Sequence, residues 1–227
     1  GVEALVRWDH PVFGRLSAAT LLETAASAEL AVALGRHIRN RAINAAASWT
    51  GPLAGLRISI NVTADDLADP EFVDTLAMDL VRAGLAPNRL VVEVTEDAII
   101  SDMDAAAATL DLLRRDGVRI ALDDFGIGYS SLARLARLPV DMIKLDRSFT
   151  QGLIGNERER VVVEGMIGTA RRLGMTVVAE GVEDDVQLAA ARAAGCHKVQ
   201  GYVLAPPLDA DGLKAFCLAR SRASRVA

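Results

Sequence analysis

The 227-residue sequence predicts an α/β fold, with a (β/α)8 barrel favoured over an open, doubly wound sheet. Three observations carry that prediction. Four segments repeat the order helix, glycine stop, strand. Their strands are short and nearly continuous in apolar residues, as parallel strands covered on both faces are. Polar residues (Asn61, Glu93, Asp123, Asp124, Lys144, Glu180 and Gln200) fall in or at the ends of six strands, which a barrel gathers at its C-terminal face and an open sheet spreads along a line.

Taken in order, strands are expected at 3–8, 57–62, 90–95, 119–124, 142–145, 176–180 and 198–200. The four repeated segments contain DTLAMDLVRAGLAPNRLVVEV, ATLDLLRRDGVRIALDD, VEGMIGTARRLGMTVVAE and VQLAAARAAGCHKVQG. Gly84, Gly117, Gly174 and Gly195 stand where a helix end favours a left-handed backbone. Asp69-Pro70 reads as an N-cap and first helical residue, and Ser101 with Asp104 as a capping box. No G-x-G-x-x-G turn follows the first strand, which weakens a dinucleotide-binding open sheet. The barrel is expected over residues 1–218, with 219–227 a frayed basic tail.

Composition narrows the function classes. At 51% hydrophobic residues and a formal charge of −5, the chain is not of the disordered class. No run approaches the ~18 apolar residues of a membrane span, and the charged N-terminus does not read as a signal peptide. Cys196 and Cys217 make a disulfide framework improbable and fit a cytoplasmic location. Net acidity argues against duplex nucleic acid but says little about small anions, because bound cations can reverse local charge.

The acids are the informative residues. Glu3, Glu93, Asp123, Asp124, Glu180 and Glu183 supply six carboxylates, with Asn61 a neutral oxygen and Lys144 a single ammonium. Gathered in a desolvated barrel interior, they would repel one another. One lysine cannot balance six acids, and oxygen-only ligation suits Mg²⁺ or Mn²⁺ rather than Zn²⁺. The adjacent Asp123-Asp124 pair permits two ions about 3.5–4 Å apart, the spacing used in phosphodiester hydrolysis. Singly, each residue has a plainer explanation: an N-cap, a surface acid, or for Lys144 a pairing with Asp141 or Asp146 or Schiff-base chemistry.

The motifs EALVRWDHP (3–11), NVT (61–63), EVTE (93–96), DDFGIGYSSL (123–132), KLDRSF (144–149), AEGVE (179–183) and QGYVLAPP (200–207) resemble, in order, the signatures of the EAL domain. That family consists of bacterial phosphodiesterases that open cyclic di-GMP to linear pGpG, on a modified (β/α)8 barrel. The resemblance implies that Glu3, Asn61, Glu93 and Asp123 ligate a first metal, and that Asp123, Asp124 and Glu180 surround a second. It makes Lys144 and Glu180 the residues that orient and deprotonate the attacking water, with Glu183 and Gln200 in support. Arg7 would meet the substrate phosphate, Leu5 would line the guanine pocket, and Glu96 would hold the DDFG loop. Mg²⁺ or Mn²⁺ would be the cofactor, two ions in all, and Ca²⁺ would bind and inhibit because its looser geometry misplaces the water.

Three departures stand out. Ile127 occupies a loop position where the family usually carries Thr or a small residue, which bears on coupling to the expected homodimer through the DDFG-loop region. The stretch 21–31 lacks the family's usual acid and Gly; Glu29 stands near that Gly, so an altered helix is expected. The family's opening helix and first strand do not precede Glu3, which accounts for seven strands rather than eight. Attachment to sensor or GGDEF (diguanylate cyclase) domains is expected. Two other readings compete: a domain that binds cyclic di-GMP without cleaving it, and a barrel lyase or aldolase working through Lys144.

Overall fold

A computed structural model of the chain describes residues 1–100, 102–126 and 135–223, so Ile127, Ser101 and most of the DDFG loop lie outside the described residues. Seven strands form one sheet in the order β1 (Val2–Glu3), β4 (Ile58–Val62), β5 (Leu90–Thr95), β6 (Arg119–Phe125), β7 (Met142–Leu145), β8 (Thr176–Ala179) and β9 (Lys198–Val199). The pairs β1–β4, β6–β7, β7–β8 and β8–β9 are parallel, so the expected α/β class holds. Leu90 through Val94 are all buried, as a strand covered on both faces requires. Two compact units divide the chain: residues 1–92, 116–118 and 209–227 in one, and 93–115 and 119–208 in the other.

In the first unit, the expected strand 3–8 ends at Glu3. Trp8–His10 (β2) instead pairs antiparallel with Gly14–Leu16 (β3). This hairpin is closed by the Asp9–Arg15 ion pair at 2.7 Å and by His10 Nδ1, which accepts the Val12 and Phe13 N–H groups. Helix α1 (Ala18–Ser27) follows its N-cap Ser17 and stops at Glu29, whose φ of 59° is left-handed. The Glu29 N–H donates to Ala26 O and the Leu30 N–H to Ala25 O, the paired bonds of a Schellman ending. Glu29 thus takes the conformation a Gly would favour, and the helix end survives.

Helix α2 (Ala31–Ala47) carries Arg39, which is buried with its Nη1 2.7 Å from Asp66 Oδ2. A Cβ on Gly35 would stand 3.1 Å from that guanidinium nitrogen, so Gly35 makes room for it. Asp66 also accepts the Thr63 N–H while Thr63 Oγ1 accepts the Asp66 N–H, a capping box that starts α3 (Ala64–Ala68) directly after β4. Helix α4 (Phe72–Ala83) begins two residues later than the Asp69-Pro70 reading placed it. Asp69 caps the end of α3, and its Oδ1 receives the Glu71 N–H. Ile43, Ala46, Ile60, Leu76, Leu80 and Leu90 belong to the core of this unit.

In the second unit, α5 (Glu96–Ile100) and α6 (Met103–Arg115) lead into β6. Asp102 Oδ1 receives the Ala105 N–H at the start of α6, while the expected capping box of Ser101 with Asp104 lies outside the described residues. Asp141 is taken by Arg114 and by the Ile120 N–H. Asp146 N-caps α7 (Arg147–Ile154); partial burial pushes its carboxyl up, but bonds from Ser148 and Arg147 outweigh that and hold it below the usual carboxylate range. Helices α8 (Glu157–Arg172) and α9 (Asp185–Ala193) precede β8 and β9. Gly84, Gly117, Gly174 and Gly195 all adopt positive φ, as their positions predict. A last helix, α10 (Ala210–Ala223), belongs to the first unit and runs on into the stretch read as a tail. Among the described residues no helix is long and apolar enough to cross a membrane.

Candidate cation and phosphodiester site

Lys144 lies on β7, a strand whose four residues are all buried, and its side chain is 3% exposed. A buried ammonium needs anionic partners. Its Nζ contacts Glu93 Oε2 at 2.8 Å, Glu180 Oε1 at 2.9 Å and Asp123 Oδ1 at 3.1 Å. These acids come from β5, the residue after β8, and β6. Neither Asp141 nor Asp146 serves Lys144 as the plainer reading allowed. Three carboxylates around one ammonium still leave net negative charge in a largely desolvated place, since Glu93 is 3% exposed.

Asp124 adds a fourth acid by an irregularity of the strand. Successive strand residues ordinarily point to opposite faces. Here the register between β6 and β7 shifts between Leu122 and Phe125, and Asp124 takes a left-handed φ of 51°. Such a conformation costs an L-residue about 1–2 kcal/mol and clusters at functional places. Its result is that Asp123, Asp124 and Glu180 each offer a carboxylate oxygen, all within 4.8 Å of one another. Asp124 is exposed and Asp123 buried, so the group reaches from the interior to the surface.

The other predicted residues of this unit surround the β8 end. Glu180 donates its N–H to Leu145 O, and Thr150 Oγ1 donates to Glu180 O at 2.7 Å. Glu183 pairs with Arg147 at 3.0 Å, and its N–H donates to Gln187 Oε1. Gln200 follows β9; its N–H donates to Ala179 O and its carbonyl accepts the Val182 N–H, which ties it to the AEGVE stretch. Gly201 then runs against the Val182 backbone so closely that a Cβ there would collide with it. Glu96 opens α5, while most of the loop it is expected to hold lies outside the described residues.

In the first unit, Glu3 and Asn61 meet. Asn61 Nδ2 donates to Glu3 Oε1 at 3.1 Å, which commits the amide's donor side and leaves its Oδ1 the natural acceptor for a cation. The capping box of Thr63 and Asp66 fixes the backbone just beyond Asn61. Leu5 and Arg7 are exposed on the segment after β1, and Arg7 Nη1 donates to Val6 O.

The residues that sequence reasoning missed are Arg147 and Thr150. Arg147 lies inside the quoted KLDRSF motif and its charge was the available signal; Thr150, a threonine inside α7, had none.

Comparison with known proteins identifies the family. Residues 1–207 match the family described as the EAL domain. The cyclic di-GMP phosphodiesterase NbdA of Pseudomonas aeruginosa is 40% identical over 95% of the chain, and the bifunctional diguanylate cyclase/cyclic di-GMP phosphodiesterase MucR of the same organism 37% over 95%. The chain spans 28% and 32% of the length of these two relatives. A solved structure of the MucR phosphodiesterase in complex with c-di-GMP superimposes with a TM-score of 0.86 at 36% identity, over 93% of this chain and 86% of that one. Klebsiella pneumoniae BlrP1 with manganese and c-di-GMP gives 0.80 at 31% identity, over 90% of this chain and 51% of that one. Match length, identity and structural likeness together place the chain in the EAL-domain family.

Proposed function

We propose that the chain is a divalent-cation-dependent phosphodiesterase that hydrolyses cyclic di-GMP to linear pGpG. The observation that carries the reading is the oxygen cluster of Asp123, Asp124 and Glu180 beside the Lys144 ammonium. An all-oxygen, mostly carboxylate donor set with excess negative charge fits Mg²⁺ or Mn²⁺ and does not fit a cation that prefers nitrogen or sulfur. Asp123, Asp124, Glu180 and Glu93 would hold cations in the second unit, and Glu3 with Asn61 offers a carboxylate and an amide oxygen in the first. When bound, such cations supply the positive charge that offsets a phosphodiester anion and make water a stronger acid near neutral pH.

The chain's own residues do the rest. Glu180 takes a proton from the attacking water, a general-base role worth about 10²–10⁴-fold in rate. Lys144 holds Glu93, Asp123 and Glu180 in one arrangement and places its ammonium where negative charge gathers as phosphorus becomes five-coordinate. Water oxygen bonds to phosphorus, the bond to the ribose 3′ oxygen breaks, and that oxygen leaves as a hydroxyl. One such cleavage opens the ring and leaves a 5′-phosphate, which is pGpG. Arg7 would meet a phosphate and Leu5 a guanine face, with Gln200 and Glu183 supporting the pocket. By likeness to MucR, whose name joins cyclase and phosphodiesterase, we also propose that this barrel serves as the hydrolytic part of a larger signalling protein.

Glu180→Gln tests the assignment. It keeps size and polarity and removes the base, so cyclic di-GMP should still bind, by calorimetry, while turnover falls at least about 10²-fold. Turnover near the unsubstituted rate would show the base to be misassigned.

A further inference from the structure

The loop that carries Glu180 is held by a helix to which no role in the chemistry has yet been given. Helix α7 begins three residues after Lys144, and two of its side chains reach that loop. Arg147 grips Glu183 through two parallel contacts, Nη1 to Oε1 at 3.0 Å and Nη2 to Oε2 at 3.1 Å. Its stem lies flat on Gly181, which has a φ of 61° and where a Cβ would stand 2.6 Å from Arg147 Cβ. Thr150, 1% exposed, donates to the Glu180 carbonyl at 2.7 Å. Glu180 is therefore fixed at its N–H by Leu145, at its carbonyl by Thr150, and three residues on by the Arg147 fork.

Stability alone explains this poorly. The Arg147 and Glu183 side chains are 54% and 37% exposed, and ion pairs in such settings contribute about 0–1 kcal/mol. A planar fork that engages both oxygens of one carboxylate does more for geometry than for energy. We infer that Arg147 and Thr150 are positioning residues that fix the Glu180 carboxylate for cation binding and proton removal. This rests on the role proposed above for Glu180.

The test uses the intact chain with Arg147→Ala, Arg147→Lys and Thr150→Val, measured for turnover of cyclic di-GMP, for cyclic di-GMP affinity, for melting temperature, and for Mn²⁺ binding without substrate by electron paramagnetic resonance. For Arg147→Ala we expect kcat and the weaker Mn²⁺ affinity each to fall about tenfold, the low end of the ~10–100-fold seen for groups that orient metal ligands. Cyclic di-GMP affinity and melting temperature should stay near those of the unsubstituted chain. Arg147→Lys should restore part of the loss, since it keeps the charge without the fork, and Thr150→Val should show a smaller loss of the same kind. Values of kcat and Mn²⁺ affinity within twofold of the unsubstituted chain in all three variants overturn the inference, as does a loss that appears only in KM. If Arg147→Ala does not fold, the other two variants decide by the same criteria. If the unsubstituted chain shows no turnover, the function proposed above fails, and the Mn²⁺ titrations still decide whether α7 positions Glu180.

Discussion

Lys144 holds three carboxylates with one ammonium, so its removal should expose how much of the local order depends on positive charge. Lys144→Met keeps the chain length and deletes the charge. Breaking a buried, paired charge typically costs about 3–5 kcal/mol, so the cation-free variant should melt well below the unsubstituted chain. Mn²⁺ should then raise its melting temperature by more than it raises that of the unsubstituted chain, because a bound divalent cation supplies the missing charge and stabilises by mass action. Equal shifts in the two proteins would mean that lysine and cation do not serve the same carboxylates. A second residue, Cys196, answers to pH. Burial pushes its thiol up from 9.0 to about 11, with Arg171 opposing weakly. The folded state keeps the proton that the unfolded chain gives up near pH 9, so the contribution is intact below that pH and is lost as pH rises through 11. Cys196 should alkylate slowly with iodoacetamide at pH 8.5 in the folded chain and at the rate of an ordinary thiol in urea, as peptide mass spectrometry would read.

At the scale of elements, the end of α1 offers the simplest substitution. Glu29 occupies a left-handed position that costs an L-residue about 1–2 kcal/mol, partly offset in Gly by chain entropy. Glu29→Gly should therefore stabilise the chain by about 0.5–1 kcal/mol in urea unfolding; a loss of stability would mean that the Glu29 side chain contributes contacts worth more than the strain. The same element shows what a sequence can and cannot reveal. The missing Gly was legible, because only a few residue types tolerate that conformation, but the altered helix expected from it does not appear, since Glu29 itself turns left-handed and keeps the usual helix ending. Six of the seven sheet strands were legible as well, four of them because a left-handed glycine that ends a helix precedes a short apolar run; the first was drawn too long and ends at Glu3. The hairpin Trp8–His10 with Gly14–Leu16 was not: Asp9, His10 and Arg15 carry no apolar alternation, and the turn is closed by a histidine side chain and an ion pair that pattern reading does not weigh. The start of α4 was misplaced because Asp69-Pro70 satisfies the rules for a helix start and also those for the short turn that ends α3.

For the whole molecule, the acids stand out in the sequence as candidates, but how Glu93, Asp123 and Glu180 share one lysine does not. Lys144 has several acids near it along the chain, and only folding brings Glu93, Asp123 and Glu180 to its Nζ while Asp141 and Asp146 turn to other work. Nor could the sequence show the bulge that turns Asp124 toward Asp123 and Glu180, since a left-handed aspartate inside a strand has no pattern of its own. The net charge of −5 reads differently once these acids are placed. Acidity that argues against a polyanionic partner is, in this arrangement, what would bind the cations that make a small phosphodiester welcome. The most direct measurement incubates the purified chain with cyclic di-GMP and follows the nucleotides by chromatography in Mg²⁺, Mn²⁺ or Ca²⁺. Steady conversion to pGpG with Mg²⁺ or Mn²⁺, suppressed by Ca²⁺, is the expected result. Tight binding of cyclic di-GMP with no linear product under any of these ions would contradict a phosphodiesterase and leave a domain that only binds the dinucleotide.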